Sequence, residues 1–166
     1  MKKFLINLLI LIILGCGYHF ERSYLKSVGI DNIYIEPFKN KTQERGLENK
    51  ISNALVYEFN MDKEASITRR EEAQAILTGK IISYEVYTVA YGREDYTATG
   101  RIILRVEAEL KKKGTNNVIW KNELTDQEEY TVSSDLIQTQ RYRNEALDRI
   151  IQRTAERIHD QISTGF

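Results

Sequence analysis

The sequence predicts an α+β fold: a two-layer sandwich in which a four-stranded mixed sheet carries two amphipathic helices on one face, in the order βαβββα. Three observations lead there. Apolar residues recur at every second position over 98–111, they recur at every third or fourth position over 47–60 and 141–163, and turn-forming residues separate these stretches. Period two gives a strand with one apolar and one polar face, whereas a period near 3.6 gives a helix with a single apolar stripe. Strands of that kind bury their apolar side under helices and leave the other side to solvent or a partner.

The elements follow in chain order. Ile33, Tyr34, Ile35 and Phe38 suit a first strand over Asn32 to Phe38, stopped by Pro37. Leu47, Ile51, Leu55 and Phe59 recur at four-residue steps with Ala54 on the same face, which predicts a helix over Leu47 to Asn60. The segment from Ala75 to Tyr91 is rich in β-branched and aromatic residues and reads as a long strand. Next, Ala98, Gly100, Ile102, Leu104, Val106, Ala108 and Leu110 point one way, while Thr99, Arg101, Arg105, Glu107, Glu109 and Lys111 point the other. Only Ile103 breaks the polar face.

Gly114-Thr115-Asn116-Asn117 is turn chemistry, after which Val118, Trp120 and Leu124 alternate with Lys121 and Glu123. An antiparallel hairpin is therefore expected. The last helix, about Arg141 to Ser163, places Leu147, Ile151, Thr154, Ile158 and Ile162 on one face beside Ala146, Ile150 and Ala155. Because the first helix lies between strands one and two, a right-handed crossover would make that pair parallel.

The beginning of the chain differs from the rest. Met1-Lys2-Lys3 is basic, and Phe4 to Leu14 is apolar apart from Asn7, which is a signal-peptide layout. A lasting membrane span needs roughly 20 apolar residues, and this run stops before Gly15-Cys16. Ile13-Leu14-Gly15-Cys16 resembles the lipobox of bacterial lipoproteins, although Leu14 stands where a small residue is usual. The expected organisation is a signal peptide over 1–15, a lipidated connector over 16–31 and a single domain over 32–166. Cys16 is the expected lipid-attachment residue, carrying an S-diacylglycerol and an N-acyl chain. Several acyl chains give stable anchoring where one is marginal. Gly17, in place of the Asp that commonly retains such proteins at the inner membrane, resembles the outer-membrane default.

Charge and chemistry narrow the function classes. The chain has 24 basic and 24 acidic residues, and removing 1–15 takes away Lys2 and Lys3, leaving 22 against 24, a net charge of about −2. No basic stripe is available for phosphate neutralisation, so nucleic acid is not an expected partner. With Cys16 as the single cysteine, no intramolecular disulfide can form. His19 lies beside the expected anchor, and His159 reads as a residue near the end of a surface helix without an obvious partner. Metal sites need several ligating residues at suitable spacing, so none is expected, and Glu71-Glu72 and Glu128-Glu129 read as solvated turns. Neither a G-x-S-x-G elbow nor a phosphate-cradling glycine loop occurs, so no enzyme and no dissociable cofactor is expected.

Ten tyrosines include Tyr84, Tyr87, Tyr91 and Tyr96 in or near one hairpin. Tyrosine suits half-buried strand positions, and it also suits interfaces, where one end is apolar and the other wet.

Cys16-Gly17-Tyr18-His19-Phe20, Ile33 to Thr42 (IYIEPFKNKT), Gly46-Leu47-Glu48, Ala73 to Ile81 (AQAILTGKI), Val118 to Asn122 (VIWKN), Glu129-Tyr130 and Ala155 to Ile158 (AERI) follow one another along the chain. Together these strings resemble the LptE family of lipopolysaccharide-assembly lipoproteins. Gln74 replaces the usual Asp of an Ala-Asp-Ala segment. The resemblance implies an outer-membrane, lipid-anchored protein without catalytic activity that sits inside the β-barrel of an LptD translocon, helps it assemble and assists lipopolysaccharide delivery. It implies that the polar sheet face and hairpin ends meet the barrel lumen, which is polar in outer-membrane barrels. Lipopolysaccharide itself is a candidate ligand of Arg93, Arg101 and Arg105, with Tyr87, Tyr91 and Tyr96 as candidate contacts. The alternative is an outer-membrane lipoprotein that activates a cell-wall synthase, since those proteins share a Phe-x-Asn-x-Thr string. The short connector argues for a partner at the membrane instead.

Overall fold

The computed structural model describes residues 24–62, 64–90, 98–115 and 117–165. It begins with a single helical turn, α1 (Tyr24–Ser27), followed by β1 (Asn32–Ile35), β2 (Lys39–Asn40), α2 (Leu47–Asp62) and β3 (Ser66–Ile67). Three long strands follow, β4 (Ala75–Ala90), β5 (Ala98–Lys112) and β6 (Val118–Val132), and the chain closes with α3 (Leu136–Thr164). The class is α+β, as the periodicities require. The sheet has six strands rather than the expected four, in the order β3-β1-β4-β5-β6 with β2 also paired to β4.

The two extra strands are short. β3 runs parallel to β1 for two residues, and β2 continues the line of β1 along β4. Strand one, expected over Asn32 to Phe38, is split because Pro37 has no N–H to give to the ladder. Phe38 turns its amide toward α2 and donates to Ser52 Oγ at 3.2 Å. The β1–β4 pair is parallel, as the intervening helix demands, whereas β4–β5 and β5–β6 are antiparallel with long registers.

Both long helices cover the same sheet face. Leu47, Ile51, Leu55 and Phe59 of α2 are buried, as are Leu147, Ile150, Ile151, Ala155, Ile158 and Ile162 of α3. They meet Ile33, Leu77, Ile81, Ile102, Leu104, Val106, Leu110, Trp120 and Leu124 from the strands. Each fully buried Leu or Ile contributes about 1.5–3 kcal/mol relative to exposure, so this single layer of contacts supplies most of the stabilisation. Leu25 and Ile30, in the stretch read as connector, are also buried in this core. The packed unit therefore starts before residue 32.

The ends of the helices follow from local chemistry. Asp135 caps α3, its carboxylate accepting from Ile137 N at 2.8 Å, and Gly165 closes the helix in the left-handed region at φ 78°. This cap starts α3 at Leu136, five residues before the expected start at Arg141. Gln74 ties the entry to β1 down: its Oε1 accepts from the amides of Asp31 at 2.6 Å and Asn32 at 3.1 Å. The contact uses the side chain only as an acceptor.

Gly79 marks a tight approach. A Cβ there would lie 2.2 Å from the Phe38 ring, which is itself 3% exposed and cannot move aside. Gly79→Val is expected to destabilise the domain by about 1–3 kcal/mol through overpacking. Gly100→Ala should cost less, because the Tyr130 ring it would touch is only partly buried. Denaturant unfolding of both variants tests the order.

Candidate functional site

With both long helices on one side, no element among the described residues covers the other face of the sheet. On β5 this outer face carries Thr99, Arg101, Ile103, Arg105, Glu107, Glu109 and Lys111. Their cross-strand partners include Tyr87, Glu85, Ser83 and Lys80 on β4 and Glu129, Gln127, Thr125 and Lys121 on β6. A register shift between Ile81 and Ser83 keeps the distal half of β4 in phase with β5, so that Glu85 and Tyr87 share the face of Arg101.

The charges on this face are laid out as opposite pairs. Arg101 reaches Glu129 at 2.7 Å, Arg105 reaches Glu123 at 3.6 Å, and Lys80 and Lys121 flank Glu107 at 3.0 and 3.8 Å. Such exposed pairs contribute little stability each, on the order of 0–1 kcal/mol. Their effect is to leave a polar surface of mixed sign that tolerates neither an apolar membrane nor a strongly charged polymer. The face spans strands of fifteen and sixteen residues, about 50 Å at 3.3 Å per residue.

The candidate residues fall out differently. Arg101 and Arg105 lie four residues apart on the outer face, each with a carboxylate partner. Tyr87, 48% exposed, is also on that face and donates to Glu85. Tyr84 is turned to the helix side. Its hydroxyl accepts from Arg143 Nε at 3.1 Å, the guanidinium stacks 5.5 Å from the ring centroid, and Arg143 continues to Glu44 at 2.8 Å. Burial pushes the Tyr84 phenol above its ordinary range. Tyr84 is thus a packing residue that fastens the start of α3 to the sheet. Cys16, Tyr91, Arg93 and Tyr96 lie outside the described residues.

The Phe-x-Asn-x-Thr string is structural as well. Phe38 fills the space above Gly79, and Asn40 Oδ1 accepts from Thr42 N at 2.9 Å while its Nδ2 donates to Glu48 at 2.9 Å. These bonds fold the loop that feeds α2.

Two expectations from the sequence need correction. Glu128, read as part of a solvated turn, lies on the helix side of β6 and accepts from Arg149 at 2.7 Å and Arg153 at 2.9 Å. Beside it, Asp126 is 9% exposed and takes Arg157 and Thr154 Oγ1, the latter at 3.0 Å. These contacts clamp α3 onto an edge strand. His159, read as a surface residue without partners, is 5% exposed and stands edge-on to Phe59 with centroids 4.7 Å apart. Its ring nitrogens lie 3.4 Å from Ser163 Oγ and from the carboxylates of Asp62 and Asp160. This is not a hydrolytic triad, since Ser163 is itself buried and offers an acyl group no approach.

Among the described residues, three glutamates titrate low. Glu128 is held down by the Arg149 hydrogen bond first and Arg153 next, Glu107 by Lys80, and Glu48 by its own backbone amide and Asn40. A carboxyl whose folded value is lowered contributes stability above its unfolded value and loses it as pH falls through the folded one. Stability is therefore expected to hold from neutral pH down to about 5 and to decline below about 4.5, the ordinary glutamate value. Glu128→Gln should flatten that decline in denaturant midpoints measured across pH.

Cavities among the described residues include one of about 230 Å³ lined by Glu36, Lys39, Thr78, Lys80, Glu107 and Glu109, one of about 440 Å³ beside Thr42, Glu44 and Tyr84, and a shallow one of about 510 Å³ beside Leu136, Ile137 and Arg141. At the other end, where β6 turns into α3, Leu136 and Ile137 are each 83% exposed. No helix among the described residues is long and apolar enough to cross a membrane.

Known structures share this architecture. A minor lipoprotein from Acinetobacter baumannii superposes with a TM-score of 0.56 at 12% identity, over 81% of this chain and 91% of that one. PelC from Paraburkholderia phytofirmans, a dodecamer, gives 0.57 at 13% identity over 80% and 89%. Lipoprotein B from Nitrosomonas europaea gives 0.53 at 15% identity over 81% and 83%. At these identities the likeness is one of fold. No curated protein matches the sequence. The sequence pattern of the lipopolysaccharide-assembly family LptE matches residues 30–162, from just before β1 to the last turn of α3, and the chain belongs to that family.

Proposed function

We propose that this chain is the lipid-anchored partner of an LptD-type outer-membrane β-barrel, seated in the barrel lumen by the uncovered face of its sheet, where it supports barrel assembly and lipopolysaccharide delivery. The observation that carries this reading is the long outer face itself, polar, of mixed charge and covered by no element among the described residues. Barrel interiors of the outer membrane are polar, so such a face loses little on entering one. An apolar bilayer would instead strand Arg101, Glu107, Glu123 and Glu129 without water. Arg101 and Arg105 belong to this contact, since each guanidinium is already neutralised by a glutamate and can exchange that partner for a barrel residue.

Lipid on Cys16 would fix where this happens. Eight residue steps separate Cys16 from Tyr24, at most about 29 Å of extended chain, so α1 would stay close to the membrane surface. A cell-wall synthase activator, which works at a distance from the membrane, would gain nothing from so short a tether. Cys16→Ala is expected to abolish fatty-acid labelling and move the protein to the soluble fraction, as fractionation with labelled palmitate would register. Affinity purification from detergent-solubilised membranes should recover one large β-barrel protein with the chain. Recovery of a cell-wall synthase without a barrel would overturn the reading.

A further inference from the structure

We infer that Asp62, Glu64 and His159 form a binding site for one divalent transition-metal ion, zinc being the ion that fits best. The three side chains come from the end of α2, the loop after it and the last third of α3, and their ligating atoms all lie within 4.8 Å of one another. His159 Nε2 and Asp62 Oδ2 are 3.4 Å apart. That is long for a hydrogen bond between charged groups, which run about 2.7–2.9 Å. It matches a tetrahedral edge: ligands about 2.0–2.1 Å from zinc sit about 3.3–3.4 Å from each other.

The imidazole supplies a second, independent observation. It is 5% exposed and packed T-shaped against Phe59, and its Nδ1 lies 3.4 Å from the Asp160 carboxylate. At that distance, as with Asp62, the contact is long for a charged hydrogen bond, but it puts a carboxylate on the side where metal-bound histidines commonly have one for their other N–H, leaving Nε2 to ligate. Ser163 Oγ also lies 3.4 Å from Nε2. The carboxyl end of α2 adds a negative potential of its own, which favours a cation there.

Two carboxylates balance a dication, and three protein ligands leave one position for water. The bound ion would pin the end of α2 to α3. The site lies in the helix layer, on the other side of the sheet from the uncovered face proposed to meet the barrel, so metal binding and barrel docking are separable.

The test uses the full-length protein in detergent, stripped with chelator and titrated with zinc chloride by calorimetry, with thermal unfolding read in parallel. One zinc per chain and a rise in unfolding midpoint reversed by EDTA are expected. The Asp62→Asn/Glu64→Gln double variant, altered only at partly exposed positions, should fold normally by circular dichroism and bind at least about tenfold more weakly. His159→Gln should do the same, and cobalt(II) should give an intense tetrahedral visible spectrum in the parent protein alone. Absence of saturable binding in the parent, or binding of equal affinity in the double variant, would overturn the assignment; the second outcome would place the ion elsewhere, as at His19.

Discussion

Phe59→Ala is expected to destabilise the domain by about 3–5 kcal/mol, the cost typical of emptying a buried aromatic position. Phe59 is 1% exposed at the last turn of α2, where it contacts the edge of His159 on α3. Its removal takes away apolar burial and opens a cavity between the ends of two helices. Those ends have few other fastenings: Gln152 reaches Glu58 and Lys50 reaches Asp148 further back along the pair. Urea unfolding should show a lower midpoint with an unchanged slope, and Phe59→Leu, which retains most of the apolar volume, should recover a large share of the loss.

Asp126→Lys is expected to cost about 3–5 kcal/mol, the range seen when a paired buried charge loses its counterpart. The substitution sets an ammonium beside Arg153 and Arg157 and removes the acceptor for Thr154 Oγ1. Asp126→Asn keeps an acceptor oxygen and should cost only about 1–2 kcal/mol, because the arginines are about 40% exposed and water screens the charge lost. A gap between the two variants would locate the effect in the clamp between α3 and β6 rather than in the strand's own propensity. Equal losses would argue that shape, not charge, holds the helix there.

The long elements were legible because each repeats one period over many residues. Leu104 to Leu110 alternates without interruption, and Leu47 to Phe59 steps by four, so both burial patterns match the sequence reading. β2 and β3, two residues each, present no period and emerge only from pairing with β4 and β1. The first turn of α3 was hidden for the opposite reason: Leu136 and Ile137 are apolar but exposed, so they fall outside the stripe that defines the helix.

The candidate site divides along the same line. Arg101, Arg105 and Tyr87 were found on the polar face because alternation assigns a face to every strand residue. Asp126 and Glu128 were missed although the signal was present, since they are in phase with Trp120 and Leu124 and so had to face the helices. His159 was misread because a polar residue beside a helical stripe looks solvated until α2 is known to close over it. The pairing with Asp62 and Glu64 joins positions almost a hundred residues apart, a distance at which ligand spacing in sequence carries no information.

Placement of the uncovered sheet face inside a barrel is tested most directly by photo-crosslinking in intact cells. A photoreactive residue at Thr125 or Gln127, both exposed on the outer face of β6, is expected to give an adduct with a large β-barrel protein. The same group at Asn53, exposed on α2, is expected to give none. Barrel adducts from Asn53 with none from Thr125 or Gln127 would contradict the account, because the helices and not the sheet would then face the barrel wall.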